Sequence, residues 1–138
     1  MGKLSRNKGA SFERFVADQF RAEGFELAKR GLGQARSASE VPDVQGVPGY
    51  WIECKHQRHV RIPAAYEQAS KARTVAFLSD EANGESVPVV VSRDNRRPEL
   101  ATLSLSDFLA IASRLRDLEA RNACLLGPVP SAGGKGAA

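Results

Sequence analysis

The stretch Val41-Pro42-Asp43-Val44-Gln45-Gly46-Val47-Pro48-Gly49-Tyr50-Trp51-Ile52-Glu53-Cys54-Lys55 decides how this chain is read. Val41–Gly46 and Tyr50–Lys55 predict two neighbouring strands, with the turn at Gly46–Gly49. If they pair, Asp43 and Glu53 converge on one hard cation. Side chains alternate along a strand, so Tyr50, Ile52 and Cys54 face one side and Trp51, Glu53 and Lys55 the other. The first set has the composition of a core. The second carries chemistry, with Trp51 placed to shield it from water.

Upstream, residues 10–23 predict a helix with Phe12, Phe15, Val16 and Phe20 on one stripe. Glu13 lies at the edge of that stripe, where it can reach a cleft, and Gly24 stops the helix. Phe25–Lys29 predicts a strand, and 30–40 a polar loop holding Gly31, Gly33, Ser37 and Ser39. Downstream, Pro63 opens a second helix running to about Ser79, with Ala65, Ala69, Ala72 and Ala76 as a small-residue face for close packing. Val87–Arg93 and Glu99–Leu103 predict a hairpin. Ser104 and Asp107 form a capping signal for a last helix, whose expected buried face is Leu105, Phe108, Leu109, Ala112 and Leu115. The tail GPVPSAGGKGAA has no core-forming residues and is expected to be disordered. The order α-β-β-β-α-β-β-α specifies an α/β fold with a mixed sheet flanked by helices. One domain is expected over residues 1–126, with a tail over 127–138.

The chain has 138 residues, 42% of them hydrophobic, which suits one domain with a real core. No apolar run approaches the ~20 residues of a membrane span, and the basic N-terminus has no apolar segment after it, as a secretory signal would. Cys54 and Cys124 are too few and too isolated for a disulfide framework or zinc site, so free cytosolic thiols are expected. His56 and His59 likewise lack partners for a zinc shell. The net charge is +4, and its distribution says more. Lys55, Arg58, Arg61, Lys71 and Arg73 stand against the single acid Glu67 over residues 55–73, and Arg93, Arg96 and Arg97 form a second group. Such clusters suit a polyanion.

Taken singly, Glu13 reads as a surface helical acid, Asp43 as turn chemistry, and Glu53 with Lys55 as an exposed ion pair. Together, in this order and beside basic segments, they have the spacing of a metal-dependent phosphodiesterase centre. Magnesium keeps several waters, so Asp43, Glu53 and the Cys54 carbonyl suffice as ligands. Glu13 binds the ion directly, through water, or holds a second one. Lys55 orients the nucleophilic water or stabilises developing negative charge.

Glu13, Pro42-Asp43 and Glu53-x-Lys55 resemble the PD-(D/E)xK nuclease superfamily, with its restriction-endonuclease-like core. Within it, GASFERFVADQFRAEGF followed by a basic, serine-bearing loop is similar to Holliday junction resolvases of archaeal and phage type. The likeness spans roughly residues 6–103. It implies a Mg2+- or Mn2+-dependent endonuclease, a homodimer on four-way junctions or other branched DNA, in the cytoplasm of a bacterial host, with host and phage origin both open. It also implies a catalytic role for Gln68 on the second helix and for a loop serine, Ser37 or Ser39. The expected DNA-facing set is Lys8, Arg30, Arg36, Ser37, Ser39, His56, Arg58, Arg61 and Lys71. A duplex-specific or nicking endonuclease of the same superfamily is an alternative, as is a non-catalytic DNA-binding module with this fold.

Overall fold

The computed structural model describes residues 3–31, 40–79 and 85–127. Helix α1 (Lys3–Ala22) buries Phe12, Val16 and Ala17. It begins earlier than the stripe alone predicts, at Lys3. Its end is set by Gly24, which has φ +98°. The N–H of Gly24 donates to Arg21 O and that of Phe25 to Phe20 O, both at 3.1 Å. This double closure needs a left-handed residue, which glycine supplies without a Cβ clash. The rings of Phe20 and Phe25 meet edge to face at 5.6 Å across it.

That closure corrects the expected strand Phe25–Lys29. Phe25 is spent on ending the helix, and its carbonyl accepts from Ala28 N–H. Strand β1 is only Lys29–Arg30. Strand β2 (Val44–Gln45) is also shorter than the predicted Val41–Gly46, whereas β3 (Tyr50–Gln57) is longer than Tyr50–Lys55. Helix α2 (Ile62–Ser79), strand β4 (Val87–Asp94) and strand β5 (Leu100–Thr102) lie where the sequence places them.

The five strands form a mixed sheet in the order β1-β2-β3-β4-β5. All neighbours are antiparallel except β3 and β4, which run parallel from Tyr50↔Val87 to Gln57↔Asp94. A parallel pair needs a crossover of a dozen or more residues, and α2 supplies it. The alternation of β3 sorts the core into two. Ile52 packs with Phe12, Val16, Ala17, Ala28, Val44, Val47 and Val89 on the α1 side, with Tyr50 and Cys54 against them. Trp51 packs with Ala65, Ala69, Ala76 and Val90 on the α2 side. The alanine face of α2 thus lets helix backbone approach the sheet closely.

The backbone divides into two compact units, Met1–Leu103 and Ser104–Ala138. In the second, helix α3 (Leu105–Leu126) opens on Ser104, whose side chain accepts from Asp107 N–H at 3.0 Å. Such a cap contributes about 1 kcal/mol. The expected buried face does not form: α3 has no buried residue, and Leu105, Phe108, Leu109 and Leu115 are all more than half exposed. The amphipathic spacing was read correctly as helical, but spacing does not say what the stripe meets. The tail beyond Gly127 lies outside the described residues. No described helix is long and apolar enough to cross a membrane.

Candidate active site

Asp43 is the residue around which the site is built. The β2–β3 register pairs Val44 with Ile52, which sets Asp43 opposite Glu53 one step further along. Asp43 N–H donates to Ile52 O at 2.9 Å, and Asp43 Oδ2 accepts from Cys54 N–H at 2.8 Å. Asp43 is therefore held against β3 through both its main chain and one carboxylate oxygen. On its other side Gly31 N–H donates to Asp43 O at 2.8 Å. A Cβ at Gly31 would collide with the Pro42 carbonyl oxygen. Only glycine lets the β1 edge approach Pro42-Asp43 this closely. Gly31 is a positioning residue that sequence reading did not single out, though it stood in the glycine-bearing loop.

Glu53 is buried on the central strand, 5% exposed, and Lys55 Nζ donates to its Oε1 at 3.0 Å. The two lie on one face of β3, as alternation requires. Trp51 shares that face, but it is packed beneath α2 as core and does not stand over the site as a cover. Lys55 also lines a cleft of about 230 Å³ with Gln57, His59, Arg61 and Gln68. Gln68 is exposed on α2, so the crossover helix brings it to the same cleft as Lys55.

Glu13 approaches from α1. Its Oε2 accepts from Arg30 Nε, and both side chains are partly buried. Arg30, expected among the DNA-facing residues, is thus tied to a site carboxylate.

The electrostatics follow from this crowding. Burial first, and then the charge of Glu53, push the Asp43 carboxyl up to about 7; Glu13 adds to the rise, while the Cys54 N–H and Lys55 oppose it. The Cys54 thiol is also pushed up, by burial and then by Asp43, Glu13 and Glu53. It stays protonated at neutral pH, so the main-chain carbonyl is the hard oxygen this residue can offer. Among the described residues no three His, Cys, Asp or Glu side chains form a metal shell by themselves. Magnesium does not require one, since one or two carboxylates with retained waters hold it. Anionic oxygens crowded by burial, with a raised Asp43, are a donor set that a small divalent cation would relieve.

The remaining basic residues divide. Arg58 and Arg61 are exposed in the segment between β3 and α2. That segment is anchored by Asp94, which accepts from Val60 N–H at 2.9 Å and lies 3.8 Å from His59 Nδ1. His56 points to the α1 side, its ring 5.2 Å from Phe12. Burial lowers its pKa, helped by Lys8 and Arg93. Lys8 Nζ donates to Asn95 Oδ1 at 2.6 Å, and Lys71 pairs with Glu67 at 2.7 Å along α2. Arg36, Ser37 and Ser39 lie outside the described residues.

The profile of the archaeal Holliday junction resolvase (Hjc) family matches residues 4–112. No curated protein and no solved structure matches the chain. The matched span contains Glu13, Asp43, Glu53, Lys55 and Gln68 and covers most of the chain, which belongs to that family and, through it, to the PD-(D/E)xK superfamily.

Proposed function

We propose that this resolvase-family chain is a divalent-metal-dependent endonuclease that cuts four-way DNA junctions and acts as a homodimer. The observation that carries the reading is Asp43, held by Cys54 N–H opposite a buried Glu53 that is itself paired to Lys55. Asp43, Glu53 and the Cys54 carbonyl would hold Mg2+ or Mn2+, with Glu13 available if Arg30 releases it. When bound, the ion supplies activation of water and neutralisation of charge at phosphorus.

The chain's own groups do the rest. Lys55 brings a cationic donor to the face where Glu53 sits, so it can orient water or stabilise charge that develops on the phosphate. Gln68 reaches the same cleft from α2 and can position the scissile backbone. Arg58 and Arg61 at its rim suit phosphates flanking the cut. Resolving a junction takes two cuts at symmetry-related phosphates, and one chain carries one Glu13–Asp43–Glu53–Lys55 set, which supports a two-fold pair.

The test compares a four-way junction, duplex, flap and single strand, with magnesium, calcium or excess chelator. Paired symmetric cuts in the junction arms, with magnesium but not with calcium or chelator, are expected. Strong cleavage in chelator, or no preference for the junction, would count against the proposal.

A further inference from the structure

Among the described residues, helix α3 presents an exposed and patterned apolar surface. Phe108, Ile111, Leu115, Leu118, Asn122 and Leu125 recur at alternating spacings of three and four residues. This is a heptad seam, with Phe108, Leu115 and Asn122 at the a position and Ile111, Leu118 and Leu125 at d. Phe108, Leu115, Leu118 and Leu125 are 54%, 55%, 52% and 80% exposed. Leu109 lies outside the seam. On the opposite face Arg116 hydrogen-bonds Ser113 and Asp117, a solvated pattern. The family match stops at residue 112, so most of the seam lies beyond it.

We propose that α3 pairs with α3 of a second copy as a parallel two-stranded coiled coil. Three features choose this occupant. The seam is self-complementary, as a two-fold interface must be. An isolated asparagine at an a position specifies register and strand number, because it is satisfied by the same asparagine across a parallel pair. Asn122 holds that place. The flanking charges match as well. Arg114 falls at g and Glu119 at the following e position, which meet across a parallel pair. Neither has a hydrogen bond or ion pair among the described residues. An antiparallel pair would instead set g against g and e against e, so Arg114 would not meet Glu119 across the interface.

The inference deepens the homodimer reading by naming its surface, and its test reads assembly, not cleavage. Light scattering of the full chain at micromolar concentration is expected to give twice the monomer mass. Leu118→Glu changes an exposed side chain, so it spares the fold, and should weaken the dimer at least tenfold. Arg114→Glu should weaken it less, and Arg114→Glu with Glu119→Arg should recover the loss. Leu125→Cys in a Cys124→Ser background should oxidise to a disulfide-linked dimer, because position 125 meets itself only in the parallel register. A monomeric wild type would overturn both the coil and the homodimer. A dimer that survives Leu118→Glu and gives no cross-link would overturn the coil and leave the homodimer standing. A dimer sensitive to Leu118→Glu but not cross-linked at position 125 would overturn the parallel register.

Discussion

Asp43 and Glu53 on one side, and Arg58 and Arg61 on the other, are neighbours along the chain and opposites in environment. The carboxylates sit against the central strand, hydrogen-bonded and crowded by one another, while the arginines stand in water between β3 and α2. A buried charge is expensive unless it is matched, so the first group is fixed in place and strongly dependent on what binds it. An exposed charge is screened and mobile, so the second can follow a backbone of any sequence. The contrast assigns chemistry to the first region and grip to the second.

The largest effect that can break this division is on cleavage. Asp43→Asn, Glu53→Gln or Lys55→Ala should each slow junction cutting by about 10²–10³-fold or more while changing junction affinity only a few-fold. Gel-shift and cleavage assays on the same preparations check it. Parallel loss of binding and cutting in all three would give these residues the arginines' role.

Next comes a stability effect confined to the buried side. Asp43 titrates near 7 in the fold, against 3.8 when unperturbed. The native state therefore holds its proton longer than the unfolded chain. Asp43's contribution to stability is therefore greatest below about pH 4, falls as pH rises to about 7, and is flat above. The loss at pH 8 is on the order of a few kcal/mol. Asp43→Asn should remove this slope and melt higher than wild type at pH 8, and magnesium should raise the wild-type melting temperature there but not the variant's. A wild-type melting curve independent of pH between 4 and 7 would contradict the assignment.

The exposed side is tested by salt. Arg58→Ala and Arg61→Ala should weaken binding alike for unrelated junction sequences and flatten log K against log[salt] by about one unit per lost phosphate contact. A changed sequence preference with an unmoved slope would mean base reading instead. The smallest effect is at Lys71, exposed and paired with Glu67. Lys71→Ala should leave the melting temperature unchanged, and any effect it has should appear only in that salt slope.

Much of this was legible in the residues. Alternation in Tyr50–Lys55 correctly separated the α1-facing from the α2-facing side chains, and the alanines of α2 marked close packing on the sheet. The strand from Phe25 was misread because an aromatic after a glycine serves a helix terminus as readily as a strand. Gly31 and Arg30 escaped notice as site-building residues since their importance lies in close approach between segments, which local sequence does not encode. The apolar stripe of α3 was legible as a stripe, but whether it is covered depends on a neighbour.

The sheet order also carries a kinetic consequence. Val44 and Ile52 are joined through a short turn, so the hairpin that sets Asp43 beside Cys54 can close on the microsecond scale. The parallel pairing of Tyr50 with Val87 spans 37 residues and must wait for α2 to fold back. The two acids are thus brought into register by a local contact, while Lys55 and Gln68 come to share a cleft only once α2 has folded back on the sheet. Substitutions in the β2–β3 turn should slow folding. Those in the α2–β4 contact should act on the last step, when the cleft closes around a carboxylate pair already in register.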